Sequence, residues 1–363
     1  MLLHRNKTLH FFLFDKCLAI WQGTLSQRDR QTAYLLFAGP LFFNAKTTAK
    51  IETDFGGFST SVLGNFTTLR IRHAYVNLDW GRSSLLVGQT WHPLFGEVLP
   101  SIVNLNTGCP FQPFSRSPQL QYNYKFSRFN LKAAAVFQNQ YRSSGPLGSK
   151  MLEYSRDAVL PEMFAGIDYR KEGFIVGVGA DVLTLTPRTQ STKGELTYKV
   201  SERNVSASLL AFASYSSEWW KLNAKTIYGQ NNVHTLSLGG YGVTSIDPVT
   251  GAYDYVNFNH STSWVNVVYG KKWQVGLFGG FTKNLGTNKP LVSSSMTYGM
   301  GMDIDKLYNM SVQTDYNIKN FTIGVEYSYS VADYGTIQTA TGKVTNTHAA
   351  DNHRIAALCN YSF

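Results

Sequence analysis

The sequence predicts an all-β fold, an antiparallel up-and-down β-barrel of about 16 strands, and three observations carry that prediction. Runs of residues alternate apolar and polar with a period of two. Short polar turns recur at near-even spacing, at Gly81–Ser84, Ser127–Arg128, Arg170–Gly173, Ser216–Glu218, Gly270–Lys272 and Lys319–Asn320, and long loops rich in Gly, Pro, Ser and Asn fall between them. Among 363 residues, aromatics reach 14% while Gly numbers 31 and Pro 11. Aromatic and β-branched runs broken by Gly, Asn and Ser are strand material. Tight turns at one end and long loops at the other describe a meander.

No stretch supplies the roughly 20 consecutive apolar residues of a spanning helix; the best, "AYLLFAGPLFF", is cut by Gly39 and Pro40. A closed barrel is the other structure that satisfies every backbone N–H and C=O in lipid. The strand-like runs approach the ~9 to 11 residues of a tilted membrane-crossing strand. Aromatics also sit beside the turns: Phe126 and Phe129, Trp219 and Trp220, Trp273. Both features favour a transmembrane barrel over a soluble sandwich, whose strands need only about five or six residues.

In chain order, residues 1–22 have a basic start and an apolar stretch, as an export leader does. Asp15 and Lys16 interrupt it, and no small-residue cleavage site follows. Residues 1–44 therefore read as an atypical leader or a mis-assigned start, with the barrel at 45–363 and no strand legible before Ala45. In "LRIRHAYVNLDW", Arg70 and Arg72 oppose Leu69 and Ile71. Ala74, Val76, Leu78 and Trp80 then continue on the arginine parity, so a bulge near His73 is expected. Residues 92–118 form a long loop bearing Pro and Gly, a kind that is usually functional.

Beyond it, "QLQYNYKF" sets Leu120, Tyr122, Tyr124 and Phe126 against Gln119, Gln121, Asn123 and Lys125. "FNLKAAAVF", "WKLNAKTIY" and "FTIGVEYSYSV" alternate in the same way. Paired runs number about 14, and "HTLSLGGYGV" (His234–Val243) with the segment before Asn259 is counted toward the remaining two. The chain closes on "IAALCNYSF", with Ile355, Ala357, Cys359, Tyr361 and Phe363 on one face. A final strand that must pair with the first carries such a pattern to its last residue.

Net charge is +10 with a pI near 9.3, but the basic residues are dispersed, which argues against a nucleic-acid-binding tail or patch. Cys17, Cys109 and Cys359 are too far apart for a metal clip or disulfide framework. The eight histidines show no HExxH spacing. "GVGAD" at Gly177–Asp181 has Val182 where a dinucleotide fingerprint needs glycine, and "DID" at Asp303–Asp305 is a lone acidic pair. No cofactor, metal or catalytic site is implied.

The ending on Phe363 after Tyr361 resembles the C-terminal signature of bacterial outer-membrane proteins that their barrel-assembly machinery reads. "LRIRHAYVNLDW", "LLVGQTWHPLFGE", "NTGCPFQPFSRSPQLQY" and "YGKKWQVGLFGGFTKNLGT" resemble porin-like outer-membrane proteins of Bacteroidetes and, more distantly, the DcaP-like trimeric porins. The resemblance spans about residues 45 to 363. It implies an outer-membrane diffusion channel, a homotrimer, and a loop at 92–118 that folds inward and narrows the lumen.

No acidic residue lies between Glu97 and Glu153, an interval holding Arg116, Lys125, Arg128, Lys132, Arg142 and Lys150. Cationic pore walls favour anions. By alternation Arg70, Arg72, Lys125, Lys132, Lys221 and Lys225 face the lumen, while Arg116 lies on the candidate constriction loop. Arg128, in a tight turn, is expected at solvent or lipid headgroups. The sequence thus supports a porin for small hydrophilic solutes with an anion preference. The alternatives are a structural or adhesive barrel blocked by its own loops and a soluble carbohydrate-binding β-protein.

Overall fold

The computed structural model describes residues 9–10, 32–38, 43–61 and 64–361. Among the described residues, eighteen strands are hydrogen-bonded in one sheet. Two of them, Gly239–Ile246 and Thr297–Met300, belong to loops, which leaves sixteen in the barrel wall. These are Leu9–His10, Thr32–Ala38, Lys46–Ser61, Gly64–Asp79, Ser83–Trp91, Arg116–Phe126, Phe129–Val136, Glu162–Lys171, Phe174–Leu185, Asn204–Ser216, Trp220–Gln230, Tyr253–Gly270, Trp273–Thr287, Ile304–Ile318, Phe321–Ile337 and Val344–Tyr361. From Thr32–Ala38 onward each pairs antiparallel with the next. Leu9–His10 lies against Tyr361 and Asn360, so the last strand has a partner on both edges there.

The six tight turns fall where alternation breaks. Two-residue connections join Phe126 to Phe129, Lys171 to Phe174, Gly270 to Trp273 and Ile318 to Phe321. At Glu172–Gly173 both residues take positive φ, 44° and 82°, as a type I′ hairpin requires. The expected phase slip is also present. Glu52 faces His73 but Thr53 faces Ile71, so Arg72 is the extra residue of a bulge, and both Arg72 and His73 are buried.

Two expectations need correction. His234–Val243 adds nothing to the wall: Val233–Thr235 is a 3-10 turn, and Gly239–Ile246 pairs with Tyr253–Asn257 as a hairpin of a loop. The wall instead includes Thr32–Ala38, with "TAYLLFA" paired to Thr48–Asp54, although no strand was legible before Ala45. Phe363 and the leader-like residues 11–22 lie outside the described residues.

The sheet is apolar outside and polar inside. Leu277, outward, is 56% exposed, whereas Ser311 and Gln313, on the other face of the neighbouring strand, are buried. Leu120, Val178, Leu209, Val265, Met310 and Val325 share the outer surface, while Asn130, Asn223, Asn266, Asn309, Asp315 and Glu326 are buried within. Rings gather beside the tight turns: Trp219 and Trp220 against Tyr269, Phe126 against Phe129, Trp273 against Tyr316. Lys271 and Lys272 place their ammonium groups over Trp219 and Tyr316. That arrangement suits an interfacial girdle, with rings at headgroup depth and cations reaching for phosphates.

A charge on the outer row should therefore be costly. Leu277→Arg is expected to lower the stability of the barrel folded in phospholipid vesicles by about 2–4 kcal/mol, read from its denaturant midpoint. An unchanged midpoint would place Leu277 away from lipid.

Candidate functional site: the inward loop and the cationic vestibule

The chain leaves the wall after Trp91 and rejoins it at Arg116. Between them the segment turns into the barrel: Leu94, Phe95, Val98, Ile102, Val103 and Phe111 are at most 3% exposed. The inward face is polar along much of the wall but turns apolar where loops dock on it, here and at Leu183, Leu185, Val256 and Phe258 under other loops. Leu94 packs with Ala134, Val136, Phe164, Leu210 and Ile227, and Val98, Ile102 and Phe111 pack with Trp264 and Phe278. Gly280 makes the seat for Phe111, since a Cβ there would stand 2.5 Å from the ring.

Polar anchors fix the loop's path. Lys225 donates its Nζ to the Phe95 carbonyl at 2.5 Å. Gln112 Nε2 donates to the same carbonyl at 2.7 Å, and its Oε1 accepts from Trp264 Nε1 at 3.1 Å. Ser101 N–H donates to Asn266 Oδ1 at 2.7 Å. Farther across, the Glu326 carboxylate accepts from Val103 N–H at 3.0 Å, Thr107 Oγ1 and Arg354, and Gln313 Oε1 accepts from Val103 N–H at 2.9 Å. The anchoring strands lie far along the sheet from Ser83–Trp91, so the segment crosses the lumen.

The seven candidate cations separate into three environments. Arg70 grips Asp54 through Nε and Nη2 at 3.0 and 2.7 Å, and Arg72 pairs with Glu52 at 2.6 Å and Asp54 at 3.3 Å. Their charges are balanced within the wall. Arg116 is fully buried, with its guanidinium 3.8 Å above the Trp91 ring, and Trp91 stacks on Phe95 at 3.9 Å. Lys225 holds the loop.

Lys125 and Lys132 line a cavity of about 490 Å³ beside the turn at Ser127–Arg128, together with Arg128, Arg170 and Glu97. Lys221 lines a second cavity of about 480 Å³ at the same end of the barrel, with Glu218, Asp315 and Gln313. Ser101 of the loop borders the second cavity and Glu97 the first, so the loop separates two openings.

Arg128 borders this cavity but donates to Tyr169 Oη at 3.3 Å, on the outer row of its strand beside Phe129, so it sits at the rim where solvent and headgroups were expected. One residue of the first cavity was not anticipated: Arg170 pairs with Glu97 at 2.8 Å and with Asp168. Its parity with Glu162, Phe164 and Asp168, all buried, already marked it as inward. Lys125, Lys132 and Arg170 against Glu97 and Asp168 leave this mouth with excess positive charge, and Arg128 adds to it from the rim.

Glu326→Ala should free the far end of the loop, since removing one partner of a buried charged network costs about 3–5 kcal/mol. The Val103 and Asn104 amides are expected to exchange hydrogen faster, with amides of the wall strand Trp273–Thr287 unchanged. Unaltered exchange at both amides would mean that Glu326 does not hold the loop.

No family model matches the chain, and no curated protein matches it. Solved structures do. The outer membrane channel DcaP of Acinetobacter baumannii superposes with a TM-score of 0.69 at 20% identity, covering 92% of this chain and 85% of that one. The trimer form of OmpT, an outer membrane protein of Vibrio cholerae, gives 0.55 at 11% identity over 99% and 96%. An anion-selective porin from Comamonas acidovorans gives 0.52 at 11% identity over 93% and 91%. At these identities the likeness speaks for architecture: the chain has the fold of a transmembrane β-barrel of the porin type.

Proposed function

We propose that the protein is a porin of a Gram-negative outer membrane, passing small hydrophilic solutes by passive diffusion with a preference for anions. One observation carries the reading: a polar-walled barrel is crossed by its own loop, and one opening beside that loop is lined by Lys125, Arg128, Lys132 and Arg170. Charges at a mouth with low-dielectric walls have their field focused along the water path, which concentrates anions there and repels cations. The loop sets the size limit, and Lys225 and Glu326 set its position. Arg70 and Arg72 belong to the framework, since their carboxylate partners cancel their fields.

The likeness to the trimer form of OmpT supports a homotrimer, and the porin-like motifs of the sequence support a tie to the porins of Bacteroidetes. The C-terminal Phe363 fits the signal read by the barrel-assembly machinery.

A second reading has its own support. The loop buries Leu94, Phe95 and Phe111 almost completely, and a second loop joins it through the Phe114 N–H to Thr235 carbonyl bond at 2.7 Å. A lumen filled this way would suit a structural or adhesive barrel.

Liposome swelling separates the two, because solute entry requires an open path. In planar bilayers with a salt gradient, the reversal potential is expected to show anions more permeant than cations. Lys125→Glu combined with Lys132→Glu should reduce that ratio several-fold. High salt should reduce it in the wild type as well, because the Debye length falls to about 3 Å at 1 M. A channel that prefers cations, or is indifferent to both lysines, would remove the anion claim while leaving a porin.

A further inference from the structure

His92, Glu162 and His234 meet in the interior from three separate segments. His92 opens the inward loop, Glu162 begins a wall strand, and His234 lies in the short turn Val233–Thr235 of another loop. All three are at most 2% exposed. His92 Nε2 lies 3.0 Å and His234 Nε2 2.8 Å from the same carboxylate oxygen, Glu162 Oε1, and the three atoms fall within 4.8 Å of one another.

Hydrogen bonding alone leaves this cluster poorly served. His234 Nδ1 is buried without a partner, and Glu162 Oε2 and Asp181 Oδ1 accept from no N–H or O–H donor of another residue type. The Asp181 carboxyl lies within hydrogen-bonding reach of Glu162, so two acids sit side by side away from water. Two buried acids in contact must share a proton or have positive charge beside them, and the groups placed to supply that charge are His92 and His234. Among the described residues, no lysine or arginine is paired with either acid.

We propose that His92, Glu162 and His234 bind a divalent metal ion, zinc. Two imidazoles and a carboxylate suit zinc, which binds such nitrogens and oxygens at about 2.0–2.2 Å, four at a time. Ligand atoms at the corners of such a tetrahedron lie about 3.4 Å apart, so the observed separations of 2.8 and 3.0 Å need only a small outward shift. The double charge of the ion offsets Glu162 and brings positive charge beside Asp181.

Binding also has a cost: His92 Nδ1 accepts the Leu94 N–H at 3.2 Å, which places the imidazole proton on Nε2. The ion displaces that proton to Nδ1 and forfeits this single long contact. In return it joins the base of the inward loop, the wall and the second loop at one point. The burial means that the ion enters while these segments come together and leaves slowly afterwards, as in structural zinc sites.

This goes beyond the channel reading and does not depend on it, because metal content is measured whether or not the barrel conducts. The full chain is refolded in detergent with Zn²⁺, passed through gel filtration in EDTA and subjected to elemental analysis. About one Zn²⁺ per folded chain is expected. Glu162→Gln and His234→Ala should lose the ion, whereas His353→Ala, on the outer face, should keep it. Refolding the wild type with Co²⁺ should give the intense visible bands of a four-coordinate site, a readout that needs no variant. A folded wild-type barrel with no retained Zn²⁺ and no such bands, or full retention in both ligand variants, overturns the proposal.

Discussion

Hydrocarbon offers a peptide group no hydrogen-bonding partner, and that single constraint organises this molecule. Each wall N–H and C=O must be met by a neighbouring strand, so the chain runs as a continuous antiparallel sheet. Its outer surface must then be apolar, as Leu277, Val325 and Met310 are. What a soluble protein would place in its core is spent on the exterior, and the interior is left to asparagine, serine, glutamine and paired acids.

An interior of that kind cannot hold a loop by hydrophobic packing alone. The segment between Trp91 and Arg116 solves this with two unlike devices. Apolar residues of the wall, Trp264, Phe278 and Ile227, occur inward where its own apolar residues land. Between those patches, Lys225, Asn266, Gln313 and Glu326 bond directly to its backbone. The loop is thereby defined at several points along its length, and the openings beside it inherit that definition.

Much of the wall was legible because one rule, period two, governs it with little interference. The turns are legible too, since two polar residues between aromatics leave few other readings. Thr32–Ala38 escaped because "YLLFA" is apolar on both parities and gives alternation nothing to register.

At the site, parity gave direction but not partners. Arg70 and Lys125 both point inward, and only the register that sets Asp54 against Arg70 shows that one is neutralised. Arg170 had the correct parity and was overlooked. Glu326 and the His92–Glu162–His234 cluster were out of reach: Glu326 meets the loop more than 200 residues away, neighbouring members of the cluster are 70 and 72 residues apart, and no local spacing announces them.

The loop's anchors also bear on the order in which the molecule can be built. Its contacts begin with nearby strands but reach as far as 247 positions later in the chain, into the last strand to be synthesised. Closing such large chain loops is slow, and the receiving surfaces do not exist until those strands have aligned. The segment must therefore wait while the wall assembles around it, and maturation ends with its docking. A barrel caught before that step would have a complete wall and an unfinished interior.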